Sequence, residues 1–383
     1  MINFEIERNN FPVLNRIVYL DTSFAGAIPQ FCVDSIVEYL NRRCNFGLNS
    51  KMFWEEWEFA ERVRGEVAKM IGASTPNEIA FGLNQSVLFS IFSNGIDLKE
   101  GDNVITYDTA YASMTYTWLN KKSTKNIEVR FAKSKDGCVL PDDIFKLVDE
   151  RTKAITVCFV DKHTGYRHDL KEIGEFCHKK NIAFGVDATQ GCGAMKIDVE
   201  DMKVDFLAAS TYKFMTNVTG IGFAYIRKEF MDTLKQESVG WTGAKDRRNE
   251  NPMILDLSET ASRFEEGSIP FSAIHGLSAV VNNYIKLGAD NIQEYILGLV
   301  EYAYKKIETL PNVEIVGNYS KEHRSGLVIL NVPYEAQITD KKMREHGIQA
   351  FMLSPTLLRV GIHYYNNKED IDSFCDCMRV LLG

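Results

Sequence analysis

Ile182-Ala183-Phe184-Gly185-Val186-Asp187-Ala188-Thr189-Gln190, followed by Asp205-Phe206-Leu207-Ala208-Ala209-Ser210-Thr211-Tyr212-Lys213, decides how this chain is read. Each stretch is a strand-length apolar run with no polar alternation, as expected for a strand covered on both faces of a parallel sheet. The first run delivers an acid at its carboxyl end, with a Gln three positions on, and the second runs straight into a lysine. In sheets of this kind ligands bind outside the carboxyl ends of the strands. Asp187, Gln190 and Lys213 are therefore the first residues to consider for function.

Outward from this pair, strand-like runs occur at residues 78–81, 104–107, 127–131, 154–160 and 222–226. Helical periodicity separates several of them. From residue 55 to 71, Trp57, Ala60, Val63, Val67, Met70 and Ile71 share one face, and Gly72 is placed as a C-cap. From 169 to 180, Leu170, Ile173, Phe176 and Cys177 do the same. Alternating strands and helices predict an α/β fold with a mainly parallel sheet between helical layers. After about residue 250 a long helical stretch leads into a second α/β arrangement. Residues 15–255 are expected to form a large domain, and residues 1–14 with 256–383 a smaller one.

Composition narrows the function. The chain has 383 residues, 45% of them hydrophobic, which excludes global disorder. A formal charge of −8 argues against a surface built for nucleic acid or anionic lipid. No apolar run approaches the roughly 20 residues of a membrane span. The start of the chain lacks the basic and apolar segments of a signal peptide, so a soluble cytoplasmic protein is expected. The eight cysteines are scattered without a Cys-x-x-Cys pair, as reduced structural thiols would be. The seven histidines show no ligand spacing, and no metal is expected.

A lysine at the mouth of a buried strand is poorly solvated, which favours its neutral, nucleophilic form and suits it to a Schiff base with a carbonyl. A strand-end carboxylate nearby supplies the charge that keeps a pyridinium protonated. Together these are the protein-side requirements of pyridoxal phosphate chemistry. Singly, Asp187 reads equally well as a helix cap and Lys213 as a loop charge; the pairing between consecutive strands favours function.

With these motifs, and others in the same order from Val18-Tyr19-Leu20-Asp21 to Tyr365-Asn366-Asn367, the chain resembles the fold-type I pyridoxal-phosphate enzymes, specifically aminotransferase class V. That group includes cysteine desulfurases, kynureninase, isopenicillin-N-epimerase-like proteins and carbon–sulfur lyases. The resemblance implies pyridoxal 5'-phosphate as cofactor, with Lys213 holding it covalently and moving the substrate's α-proton. It makes Asp187 the pyridine-nitrogen partner and Gln190 the partner of the phenolic oxygen. It matches Phe81-Gly82-Leu83-Asn84-Gln85-Ser86 to the turn beneath the phosphate, where the backbone N–H groups of Gln85 and Ser86 open a helix. An ordinary cap by Asn84 or Ser86 is the alternative there. Ser210 and Tyr212 flank the lysine as phosphate-binding residues, and Thr164 belongs to the Thr-Gly pair preceding the Asp strand. Tyr111 falls where an aromatic ring covers the pyridine; stacking is worth about 0.5–1.5 kcal/mol. Core packing is the alternative for Tyr111.

The resemblance continues in Arg263-Phe264-Glu265-Glu266-Gly267-Ser268, which matches a stretch reaching the cofactor phosphate of the neighbouring subunit; it implies a homodimer with shared active sites and a role for Ser268. Arg359, within Leu358-Arg359-Val360-Gly361-Ile362, matches the arginine that clamps the substrate α-carboxylate, for which a planar guanidinium is suited. Ala25 and Trp241, the latter in Ser238-Val239-Gly240-Trp241-Thr242-Gly243, are placed beside the substrate; Trp241 is also compatible with a dimer core.

Two departures stand out. In Val160-Asp161-Lys162-His163-Thr164-Gly165, Lys162 occupies the position of a family Asn, where it either pairs with an acidic substrate group or points to solvent. Cysteine desulfurases carry a catalytic Cys on a long loop before the arginine. Here that loop is short, and no Cys lies between Cys192 and Cys375. The expected activity is that of a pyridoxal-phosphate enzyme on an amino acid, favouring a β-eliminating carbon–sulfur lyase on cysteine- or cystine-type substrates. Transamination, epimerisation and a catalytically silent binding protein are the alternatives. A dinucleotide-binding dehydrogenase is disfavoured, since Thr219-Gly220-Ile221-Gly222-Phe223 lacks the third glycine of that fingerprint.

Overall fold

The computed structural model describes residues 2–248, 251–317 and 319–383. In chain order its strands are β1 (Val18–Tyr19), β2 (Ile79–Gly82), β3 (Asn103–Tyr107), β4 (Glu128–Ala132), β5 (Thr152–Cys158), β6 (Ala183–Asp187), β7 (Phe206–Ser210), β8 (Gly222–Ile226), β9 (Glu314–Ile315), β10 (Leu327–Asn331), β11 (Ile348–Gln349), β12 (Phe351–Ser354) and β13 (Leu357–Gly361). Seven of them build the main sheet in the order β2-β8-β7-β6-β5-β3-β4. From β7 through to β4 the neighbours are parallel; β8 runs antiparallel to both β2 and β7.

The sheet is covered on both faces, which explains its uninterrupted apolar strands. All residues of β3, β7 and β8 are buried. The chain runs outward from β3 to β4 and then returns to place β5 on the other side of β3. The carboxyl ends of β3 and β5 flank this reversal, the place where an open α/β sheet leaves a crevice. Register then sets the residues of the crevice side by side: Cys158 pairs with Asp187, and Asp187 with Ala208.

Helix Ser50–Ile71 extends the expected amphipathic stretch by five residues at its start and ends at Gly72, whose φ of 70° is the left-handed C-cap conformation. Helix Leu170–Lys180 begins at the Asp169 cap, whose side chain accepts from the Glu172 N–H. Toward the C-terminus, β12-β13-β10-β9 form a second, antiparallel sheet; helix Ala289–Ile307 packs beside its β9, and helix Lys368–Leu382 packs against that helix and the parallel pair β1-β11. The start of the chain reaches this end of the molecule. Phe4 stacks on Tyr295 with ring centroids 4.3 Å apart, and Arg8 makes a bidentate pair with Asp370 at 2.7 and 2.9 Å.

A buried ion pair anchors the edge strand β2. Arg64 donates to both carboxylate oxygens of Glu265, at 2.6 and 2.9 Å, and to the Ile79 carbonyl at 2.9 Å. Glu265 also accepts from the Phe81 N–H at 2.7 Å. The strand that leads into Gly82-Leu83-Asn84-Gln85 is thus fixed from both ends of one salt bridge.

Candidate active site

A cavity of about 890 Å3 opens at the carboxyl ends of the parallel strands. Its wall contains Ala25, Gln85, Ser86, Tyr111, Lys162, Asp187, Gln190, Ser210, Tyr212, Lys213 and Arg359. Local chain geometry explains each placement. Tyr111 caps the helix that follows β3, and Lys162 sits in the turn after β5, so the reversal in strand order brings them together. The Lys162 amine lies 4.7 Å from the Tyr111 ring centroid and the Lys213 amine 5.7 Å from it.

Asp187 is 4% exposed and accepts from the Thr189 N–H at 2.9 Å. Burial raises its pKa, while that hydrogen bond and Lys213 hold it down. Burial lowers the Lys213 pKa from 10.5 to about 8, with Asp187 opposing and Arg359 and Lys162 adding to the fall. The sign is that of an amine poised to be neutral: roughly a tenth of it is deprotonated at pH 7, and most of it above pH 9. Capture of an aldehyde by the cofactor-free protein is therefore expected to speed up about tenfold per pH unit below pH 8 and to level off above it. Stopped-flow absorbance across pH 6–10 measures this, and an inflection near 10.5 contradicts it.

At the helix Gln85–Gly95 both readings of its first turn are partly realised. Asn84 caps it by accepting from the Val87 N–H at 3.0 Å, and the Gln85 N–H donates to the Ser210 hydroxyl at 2.9 Å. Ser86 N–H remains a first-turn donor without an intrahelical acceptor, and Ser210 keeps its own proton to donate. Ser86 Oγ is 2.7 Å from Ser113 Oγ.

Arg359 enters from β13, where it pairs with Ile329 and Phe351, and its guanidinium lies 5.0 Å from the Phe351 ring centroid. The residue is 4% exposed, and its Nε has no hydrogen-bond partner. Asp21 and Asp340 attract it, yet neither forms an ion pair with it. Asp21 is itself buried, which raises its carboxyl pKa to about 6, and it accepts from Gln349 at 3.1 Å.

Three other expected residues lie off this cavity within the chain. Thr164 is buried in the turn after β5, donating from its N–H to Asp161 at 2.9 Å and accepting from the Tyr166 N–H at 3.3 Å. Trp241 packs into an aromatic group, with ring centroids 5.8 Å from Trp57 and 6.3 Å from Phe53. Ser268 borders a separate surface recess with Leu83, Val87 and Phe264. Residues not singled out from sequence also belong to the site. Thr189 holds Asp187 and, through its hydroxyl, the Ser210 N–H at 3.2 Å. Cys158, Ser23 and Phe351 line the wall. The Asp187-x-Thr189 spacing was the available signal for the first; the others are brought in by distant strands. Gly26 is required by close approach: its N–H donates to the Tyr212 carbonyl at 2.8 Å, and a Cβ there would collide with the Lys213 carbonyl oxygen.

The residues fit pyridoxal phosphate. Gln190 is buried with Oε1 unpartnered, Gln85 Nε2 is likewise unpartnered, and a desolvated amine faces a fully buried acid. Lys213 would hold the aldehyde carbon, Asp187 the ring nitrogen, Gln190 the phenolic oxygen, and Ser86 and Ser210 the phosphate. Such a constellation on a mainly parallel sheet defines a fold-type I pyridoxal-phosphate enzyme.

Residues 18–374 match the family described as Aminotransferase class-V, and the chain belongs to that family. Its cofactor is pyridoxal 5'-phosphate. A probable cysteine desulfurase of Borreliella burgdorferi is 27% identical, covering 96% of this chain and 93% of that protein. One of Pyrococcus abyssi is 28% identical, covering 98% and 96%. Among solved structures, the apo cysteine desulfurase of Thermococcus onnurineus NA1 superposes with a TM-score of 0.89 at 25% identity, covering 100% of this chain and 99% of that one. A cystine C–S lyase in complex with its product, cysteine persulfide, shares the fold, with a TM-score of 0.87 at 19% identity, covering 96% and 99%.

Proposed function

We propose that this enzyme is a β-eliminating carbon–sulfur lyase that converts cysteine-type amino acids to an α-keto acid, ammonia and a free sulfur product. The observation that carries the reading is the place of the cysteines. The segment before Arg359 is a tight hairpin, β12 paired with β13, with no Cys in it. The thiol on the cavity wall, Cys158, is buried, and burial pushes its pKa far above the ordinary thiol value. A thiol held protonated is a poor acceptor of sulfur. The sulfur of the substrate therefore leaves unbound to the protein.

When bound, pyridoxal phosphate supplies the electron sink for the pair left at Cα. Arg359 holds the α-carboxylate and so fixes which bond at Cα faces Lys213. Lys213, neutral at the start, takes the Cα proton. The Cβ–S bond then breaks, with its pair departing on sulfur. With water, L-cysteine yields pyruvate, ammonia and hydrogen sulfide. Asp187, with Thr189 and Lys213 favouring its ionised form, would hold the ring nitrogen protonated and so support the sink.

The product decides the matter. Incubation with L-cysteine or L-cystine is expected to release pyruvate and ammonia in equal amounts, read by coupled dehydrogenase and ammonia assays. Alanine in place of pyruvate, with sulfane sulfur retained on the protein, overturns the reading.

Two further elements belong to the same proposal. Residues 15–255 and the pair 1–14 with 256–383 form two domains on either side of the cavity, supported by the contacts of Phe4 and Arg8. The recess at Ser268, bordered by the exposed Leu83 and Val87, receives a second copy of the chain, making a homodimer with shared sites. No described helix is long and apolar enough to cross a membrane.

A further inference from the structure

Charge balance in the cavity singles out Lys162. Three basic side chains, Lys162, Lys213 and Arg359, line it, against one acid, Asp187. Among the described residues no carboxylate lies within ion-pair distance of Lys162 or Arg359. The neighbouring Asp161 is unsuited to serve Lys162. Its oxygens accept from the His163 N–H at 2.7 Å, the Thr164 N–H at 2.9 Å and the Thr109 hydroxyl at 2.8 Å. Arg359 is buried with Nε unpartnered, so the cavity holds one cation built for an anion and a second cation close by. The two repel: each lowers the protonation of its surroundings, and Arg359 is the largest charge acting on Lys162.

Two cations without an ion-pair partner in a partly desolvated wall, offset only by carboxylates beyond pairing distance, are costly unless a ligand neutralises both. The α-carboxylate neutralises one. We infer that Lys162 selects L-amino acids whose side chain carries a second anionic group, a carboxylate or an oxidised or S-linked acidic sulfur, with Arg359 on the α-carboxylate and Lys162 on the side-chain anion. This rests on the proposed amino-acid chemistry of the site but not on the elimination step. The Lys162 amine sits over the face of Tyr111, whose ring attracts a cation and holds it at the wall in the absence of a counter-ion.

The test is equilibrium binding to the pyridoxal-phosphate-loaded enzyme by calorimetry, with visible absorbance as a second readout. L-cysteate and L-aspartate serve as acidic probes, and L-alanine and L-2-aminobutyrate as neutral ones. The acidic probes are expected to bind at least about tenfold more tightly, the scale of one charge-assisted hydrogen bond. Lys162→Met is expected to remove that preference and change the neutral probes by less than about twofold, while Lys162→Arg retains it. Equal affinity for both classes overturns the inference; an equal loss for both in Lys162→Met also overturns it and places Lys162 on the α-carboxylate. Failure of the elimination reading shows separately, as absent pyruvate with the binding preference intact.

Discussion

Replacing Lys213 with alanine is expected to cut turnover by about two to four orders of magnitude and, in the cofactor-free chain, to raise stability. The first effect follows from removing the only described amine that the structure places near both Asp187 and Arg359 in the cavity. The second follows from linkage. Folding lowers the Lys213 pKa from 10.5 to about 8, so the unfolded chain binds the proton more tightly than the native one. Stability contributed by this position is therefore lowest below pH 8, rises between pH 8 and 10.5, and is flat above. At neutral pH the native state carries a penalty of up to about 3 kcal/mol, which the alanine variant escapes. Urea unfolding of both cofactor-free proteins at pH 7 and pH 10.5 measures it. The variant's advantage should shrink at the higher pH; a variant less stable at both pH values contradicts the burial of a charged amine. Turnover is followed in parallel by pyruvate release.

The second large effect lies outside the cavity. Glu265→Ala is expected to cost about 3 kcal/mol, because it strips the buried Arg64 guanidinium of its buried bidentate partner and leaves it only the largely exposed Glu61 carboxylate, 3.1 Å from Nε. The Phe81 N–H loses its acceptor in the same step. The double variant Arg64→Met with Glu265→Leu removes both charges and is expected to recover most of the loss, which separates the ion pair from simple packing. Since β2 leads directly to the Asn84 cap, Glu265→Ala is also expected to weaken uptake of pyridoxal phosphate in protein that remains folded. A urea midpoint within experimental error of the parent would contradict the structural role assigned to the pair.

Much of this architecture is legible in local sequence. The strands of the main sheet and helix Leu170–Lys180 lie within two residues of the expected positions, and Ser50–Ile71 differs by its earlier start, because each is a short run buried on both faces or an amphipathic repeat; helix Ala112–Lys125 is not among the expected elements. Asp187, Gln190 and Lys213 come together because strand register is a short-range consequence of β6 following β5 and preceding β7. Other features depend on contacts that no local pattern encodes. Glu265 sits in a motif that reads as phosphate-reaching, but its carboxylate is used by Arg64, 201 positions away. Trp241 is drawn to Phe53 and Trp57 by aromatic packing between two segments distant in sequence. The charge imbalance at Lys162 becomes visible only once Asp161 is seen to be occupied by its own turn.

The stretch from Leu20 to Gly26 touches both working ends of the site. The Gly361 N–H donates to the Leu20 carbonyl at 2.7 Å, and Thr22 Oγ1 donates to the Gly361 carbonyl at 3.1 Å, two residues from the guanidinium. Gly26 closes against the carbonyls of Tyr212 and Lys213. Seven residues of main chain thus act as a caliper whose jaws are a guanidinium and an amine. Its gauge is anchored at each end by a main-chain hydrogen bond, with the Thr22 hydroxyl adding a second hold on Gly361. A β-amino acid carries the same two end groups as an α-amino acid but inserts a methylene between them, so it misfits this gauge however well the rest of the pocket receives it.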